Sequence, residues 1–224
     1  GTRRYSGIDS LEGSSEITRR HPREALSYLD SPTSGVAAYY GVRTGDRIHV
    51  RTVVSYVSTE NARENLTHDA TTWDFDAVRR AAQDEWNEWL GRIEVKGGTQ
   101  QQRTKFYTDL WHVLLGRHKI DDVNGEYPLM ERSGETGVTD GERYTVFSLW
   151  DTYRNLHQLL TLVYPERQLE MVRSMVGMYR EWGWLPKWEL YGRETFTMEG
   201  DPSIPVIVDT WMKGLRDFDM DAAY

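Results

Sequence analysis

The sequence contains no cysteine. That absence excludes disulfides, thiolate metal sites and a cysteine nucleophile. No stretch approaches the roughly 18 apolar residues of a membrane-spanning helix. A basic surplus is missing too: Lys and Arg total 27 against 35 Asp and Glu, a formal charge of −8. Without a basic face to neutralise phosphates, a nucleic-acid partner is not expected, nor is attraction to an anionic membrane surface. The six His are scattered, with no HExxH pair for zinc. Neither a GxSxG elbow, a GxxxxGK[ST] loop nor a dinucleotide fingerprint occurs. The opening residues, Gly1 to Gly7, lack the apolar run of a signal peptide.

What is present is unusual in kind. Trp (9) and Tyr (13) far outnumber Phe (5). Those two aromatics carry a polar handle and serve wet surfaces as well as cores. An acidic, Trp- and Tyr-rich chain suits a neutral polar ligand. At 224 residues the chain can bury a real core. Its last residues, Asp221-Ala222-Ala223-Tyr224, carry no stop signal for the helical pattern before them. This reads as a window within a longer chain.

Residues 1–35 are polar and punctuated by Gly, Ser and Pro, and read as irregular with one short helix near 22–29. Val36–Val42 is a strand candidate, followed by a turn at Thr44-Gly45-Asp46. In the next segment Ile48, Val50, Thr52, Val54 and Tyr56 share one face at period 2, which predicts a hairpin with that face buried. After Ser58 the period turns helical. Ser58 or Thr59 caps a short helix to about Leu66. Asp74 opens a longer one along Phe75, Val78, Ala82, Trp86, Trp89 or Leu90, and Ile93. Thr99 follows Gly97-Gly98 as the N-cap of a helix along Phe106, Leu110, Val113 and Leu114. A long polar loop is expected at 117–144, then a helix from Ser148 to Val163. Pro165 opens the next, along Leu169, Val172, Val176 and Tyr179, and Gly183 ends it. A second long loop spans 183–204, and Pro205 opens a last helix along Val206, Thr210, Leu215 and Phe218. About six helices with no intervening strand point to an α/α toroid, and six are too few to close one.

Two clusters carry the candidate chemistry. In Phe147-Ser148-Leu149-Trp150-Asp151-Thr152-Tyr153-Arg154, Asp151 sits at a helix start, a favourable place for a carboxylate. Arg154 is one turn on and positioned to pair with it. Asp151 is either an acceptor for ligand hydroxyls or simply a cap, with Trp150 a core anchor. In Gly183-Trp184-Leu185-Pro186-Lys187-Trp188-Glu189-Leu190-Tyr191-Gly192-Arg193-Glu194, three aromatics alternate with charged groups. Rings that cover the C–H face of a sugar beside hydroxyl-binding charges are one reading; Trp side chains buried under a loop are the other. Asp121-Asp122-Val123-Asn124-Gly125-Glu126 lacks calcium-loop spacing and reads as a turn. His112 and His157 read as structural. Glu199 and Asp201 add loop carboxylates near the second cluster, and no two carboxylates identify themselves as a glycosidase pair.

The blocks FSLWDTYR (147–154) and GWLPKW (183–188) are similar to those of glycoside hydrolase family 92, the calcium-dependent exo-α-mannosidases. They are accompanied in family order by Trp73-Asp74-Phe75-Asp76, Trp86-Asn87-Glu88, Ile93 to Thr99, Phe106 to Leu110, Asp121 to Tyr127 and Pro205-Val206-Ile207. The resemblance covers nearly the whole chain from about residue 35. It implies a mainly α fold with a β portion: 1–58 as the end of an N-terminal β-sandwich, 59–98 as linker helices, and 99–224 as the first part of an (α/α)6 barrel. It implies an inverting hydrolysis of terminal α-mannose from glycans with a bound calcium ion. Trp150, Asp151, Arg154, Trp184, Lys187, Trp188 and Glu194 are the implied substrate contacts. Arg193 stands where many members have Asn, and Pro202 where relatives often have His; both bear on linkage preference. The family's acid and base blocks, Glu-Gly-Asn and Gly-Asn-Asp-Asp, do not occur here. They and most calcium ligands are expected after Tyr224, so this chain alone is expected to be inactive and the remainder of the polypeptide to complete the barrel. The full-length protein is expected to be secreted, periplasmic or on the cell surface. A non-catalytic glycan-binding module, a structural helical domain and another (α/α)6 glycosidase family are the alternatives.

Overall fold

A computed structural model describes residues 9–11, 35–37 and 43–224. The chain divides into two compact units, Gly1–Val50 and Arg51–Tyr224. In the first, β1 (Asp9–Leu11) pairs antiparallel with β2 (Gly35–Ala37), Ser10 opposite Val36. A strand upstream of residue 35 was not expected from the sequence. The short helix expected near 22–29 lies outside the described residues, as do residues 38–42. The turn at Thr44-Gly45 forms: the Asp46 N–H donates to the Arg43 carbonyl at 3.0 Å, and Gly45 takes the left-handed backbone (φ 94°) that favours glycine.

The predicted partner strand, 48–57, joins no ladder among the described residues. The period-2 pattern survives with its faces reversed. Val50 and Val54 are each 72% exposed, while Arg51, Val53, Ser55 and Val57 are half-covered. Polar anchoring decides which face turns inward. The Arg51 guanidinium donates to the Ala70 carbonyl and lies 3.8 Å from the Trp73 ring centre. The Ser55 hydroxyl donates to Asp122 Oδ2 at 2.7 Å.

Helix α1 (Thr59–Asp69) is capped by Ser58, whose hydroxyl accepts from the Asn61 N–H. Helix α2 (Phe75–Leu90) starts at the Asp74 cap. Its apolar stripe is largely uncovered: Phe75 and Val78 are exposed, and packing occurs only at the far end. There the Tyr164 hydroxyl donates to the Trp89 carbonyl at 2.9 Å, and the Arg92 and Arg167 guanidiniums flank the Trp89 ring at 4.3 and 4.0 Å. Helix α3 (Gln100–Leu114) has a full capping box, Thr99 and Gln102 reciprocally bonded.

The expected loop 117–144 contains strands. β3 (His118–Lys119) pairs with β6 (Tyr144–Thr145), and β4 (Glu126–Pro128) with β5 (Thr136–Val138). The single helix expected over 148–163 is two: α4 (Leu149–Thr152) and α5 (Leu156–Val163). Asn155 (φ −157°, ψ −19°) breaks them, as suits a side chain that competes with the helix backbone. Helix α6 (Pro165–Trp182) has its proline in the first turn and a left-handed Gly183 (φ 97°) at its end. Helix α7 (Ser203–Met212) begins two residues before Pro205, and α8 (Met220–Ala223) follows.

The core gathers where α5, α6 and α7 meet. Leu160, Tyr164, Val172, Met175, Met178, Val206 and Ile207 are buried there with Tyr144, Phe147 and Leu149. Tyr179, predicted to face inward, is exposed instead. Through this core runs one polar chain: Thr152 Oγ1 to His157 Nε2 at 3.0 Å, His157 Nδ1 to Gln168 Oε1 at 3.0 Å, and Gln168 Nε2 to Thr210 Oγ1 at 2.9 Å. It ties α4, α5, α6 and α7 together, and every buried polar atom in it has a partner.

Candidate functional site

The second long loop is not irregular. β7 (Phe147–Ser148), β8 (Trp188–Leu190) and β9 (Arg193–Glu194) form one antiparallel sheet. Ser148 lies opposite Trp188, Phe147 opposite Glu189, and Glu189 opposite Glu194. This pairing brings the two sequence clusters together: the Trp150–Asp151 turn follows directly from β7, beside the strand that carries Trp188. β8 and β9 are joined by Tyr191-Gly192, both left-handed (φ 51° and 80°). That is the backbone a type I′ two-residue hairpin requires. A short alternating run on either side of Tyr-Gly was the signal available in the sequence, and its mixture of Gly, Pro and charge concealed it.

Trp150 is half-buried and Asp151 exposed. Asp151 does not cap α4; it accepts from the Ser148 hydroxyl, a bond that turns it back toward β7. The expected pairing of Arg154 with Asp151 gives way to stacking. The Arg154 guanidinium lies 5.1 Å from the Trp150 ring centre and 5.0 Å from that of Tyr153, within cation–π range. Trp184 is 71% exposed, immediately past the end of α6, and Lys187 and Trp188 are half-buried. Glu194 is buried: its carboxylate accepts from the backbone N–H groups of Lys187 (2.7 Å), Trp188 (3.0 Å) and Phe196 (3.0 Å). Its own N–H donates to Glu131 Oε1 at 2.6 Å. The surface therefore presents Trp150, Asp151 and Arg154 beside Lys187 and Trp188, underlain by Glu194. Glu199 and Asp201 lie exposed in bends farther along.

Backbone strain concentrates here. Glu131, Val146, Tyr191, Phe196 and Met198 are all left-handed (φ 51° to 66°) without being glycine. A β-branched residue such as Val146 is a genuine outlier in that region. Such residues persist only where their surroundings over-determine them, and they cluster at functional sites. Sequence reading missed the groups that impose this conformation, above all the fully buried Glu189.

Other candidates resolve as structural. Asp122 closes a turn, the Gly125 N–H donating to its carbonyl at 2.8 Å. Its carboxylate accepts from Ser55, from Asn61 Nδ2 (2.8 Å) and from Asn65 Nδ2 (2.6 Å). His157 is buried with both ring nitrogens bonded; burial above all pushes its pKa down to about 4. His112 is exposed against Trp111. Among the described residues no three His, Asp or Glu side chains converge to hold a metal ion. The donor set for a calcium ion is therefore not assembled by these residues alone.

Residues 61–224 match the glycosyl hydrolase family 92 catalytic domain. The chain belongs to glycosyl hydrolase family 92. A family GH92 α-mannosidase from Bacteroides thetaiotaomicron is 32% identical with a TM-score of 0.71, over 76% of this chain and 23% of that one. That enzyme has also been solved in complex with mannoimidazole. A family GH92 inverting mannosidase from the same organism is 26% identical with a TM-score of 0.75, over 97% of this chain and 29% of that one. A protein of Arthroderma benhamiae described as an uncharacterized secreted glycosidase is 27% identical over 186 residues, 80% of this chain and 19% of the relative. This member of family 92 thus spans between 19% and 29% of the length of these relatives. No described helix is long and apolar enough to cross a membrane.

Proposed function

We propose that this chain is part of a secreted glycoside hydrolase that removes terminal α-mannose from glycans, and that it supplies one wall of the sugar pocket. The observation that carries this reading is the β7–β8 pairing, which sets the Trp150–Asp151 turn beside Trp188 and Lys187 on a strained sheet. A mannose ring stacks its C–H face on an indole, Trp150 or Trp188, with Trp184 extending the platform. Asp151 accepts from its hydroxyls, and Arg154 and Lys187 donate. Glu194 shapes the strand from beneath through its three backbone N–H partners.

Residues 99–224 are the opening part of an (α/α)6 barrel in this reading, 59–98 the linker helices and 1–58 the end of a β-sandwich. The reaction is inverting: one carboxylic acid protonates the leaving oxygen and a carboxylate activates water on the opposite face. Both groups come from the polypeptide outside this chain, as do the ligands of the calcium ion, which helps bind and distort the sugar. The chain by itself accordingly gives no turnover. Incubating it with an α-mannoside and calcium, and assaying free mannose, tests the assignment. Calcium-dependent release by these 224 residues would mean that the acid and base lie among them.

A further inference from the structure

Three left-handed residues at the candidate pocket direct their backbone N–H groups to one buried side chain. Val146 N–H donates to Glu189 Oε2 at 2.9 Å, and Gly192 N–H to Glu189 Oε1 at 2.6 Å. Tyr191 N–H donates to Thr145 Oγ1 at 2.9 Å, whose hydroxyl in turn donates to Glu189 Oε1 at 2.6 Å. Val146, Tyr191 and Gly192 have φ of 64°, 51° and 80°. Glu189 itself is inaccessible to solvent, and it sits on β8 between Trp188 and Leu190, whose side chains project to the other face. Val146 is the corner between β6 and β7, immediately before the strand that leads into Trp150 and Asp151. Tyr191-Gly192 is the turn that fixes β9 against β8. One carboxylate therefore holds both corners of the sheet from which the pocket residues project.

We infer that Glu189 is the positioning residue of the sugar-contacting surface: it fixes Trp150 and Asp151 relative to Trp188 without touching the ligand. Its consequence for sugar binding rests on the function proposed above. A carboxylate is required because both oxygens must accept. A glutamine whose carbonyl stays with Thr145 and Gly192 turns its NH2 donors toward the Val146 N–H, and the corner loses its partner. Val146 has a β-branched side chain and leaves the left-handed region once that bond is gone, whereas glycine holds it without one.

That contrast gives the test. Amide and indole NMR signals of the labelled chain are followed over about pH 4 to 8, the range around a carboxyl displaced by burial. The Val146 and Gly192 amides and the Trp150 and Trp188 indoles are expected to move with one midpoint. In Glu189→Gln that titration disappears and both indoles are displaced; in Glu189→Gln with Val146→Gly they return toward their original positions. Indoles that stay still while the two amides titrate, or that remain displaced in the double variant, would overturn the inference. The titration of the unsubstituted chain decides the question even if Glu189→Gln does not fold. Mannoimidazole is titrated against the same three proteins. Binding about tenfold weaker in Glu189→Gln, as expected for misplaced contacts, and recovered in the double variant extends the role to the ligand. Absence of mannoimidazole binding to the unsubstituted chain counts against the pocket, and the indole signals alone then judge Glu189.

Discussion

Lowering the pH should weaken this fold through one residue, His157. Its ring is only 1% exposed and lies between Thr152 and Gln168, each 3.0 Å away. With Nδ1–H donating to Gln168 and Nε2 accepting from Thr152, the ring is bonded as a neutral imidazole. Burial holds its pKa down at about 4, Arg117 adds repulsion, and the Gln168 bond offsets part of both. Above pH 6.5 the ring is neutral in the folded and unfolded chains alike. Between 6.5 and 4 the unfolded chain binds a proton that the folded chain refuses, so stability falls with pH. At about 1.4 kcal/mol per pH unit the loss reaches about 3 kcal/mol by pH 4. That is a large share of the 5–15 kcal/mol or so that holds an ordinary domain. Glu189 and Asp121 work in the opposite direction, since burial raises both. Their contribution cancels when the chain is compared with His157→Gln. Urea unfolding followed by Trp fluorescence, repeated from pH 7 to 4 on both proteins, gives the difference directly. It should shrink by about 3 kcal/mol in favour of the variant as the pH falls. A difference that stays constant with pH would refute the reasoning, because a ring that bonds equally well when charged cannot produce the slope.

Three further outcomes follow from the packing. Asp122→Ala strands the Asn61 and Asn65 amides and the Ser55 hydroxyl in a buried setting, and should cost about 3 kcal/mol in urea unfolding; a loss below about 1 kcal/mol would mean that water replaces the carboxylate. Met175→Ala opens a cavity among buried residues and should cost about 2–5 kcal/mol, whereas Val78→Ala on the uncovered stripe of α2 should stay within about 0.5 kcal/mol. Gly183→Ala meets no neighbouring atom but sits at φ 97°, so its cost of about 1–2 kcal/mol comes from the backbone alone; thermal melting that matches the parent chain would contradict a left-handed helix end.

Local rules carried the helices well. Ser58, Asp74 and Thr99 cap where their side chains predict, and Pro165 and Gly183 bound α6, because caps and proline act within one turn of chain. The same locality limits periodicity: it names the face of α2 that seeks cover without saying whether cover exists, and Phe75 and Val78 are exposed. The strands of 118–148 and 188–194 escaped notice because each is two or three residues long, too short for an alternation to show. The candidate residues Trp150, Asp151, Lys187 and Trp188 were legible as aromatic and charged clusters. Glu189 was not, since its role comes from N–H groups up to 43 positions away.

By itself the sequence determined the absence of thiol chemistry, the helix boundaries with strong caps, the family blocks and the residues able to meet a sugar. Only the tertiary structure decided that FSLWDTYR and GWLPKW share one sheet, with Ser148 against Trp188. It also decided which face of 51–57 turns inward and where the backbone is held left-handed. The physical reason is the same in each case. Caps, proline and residue chemistry act over a few positions, whereas strand pairing and a buried carboxylate draw on partners that are neighbours only once the chain has folded.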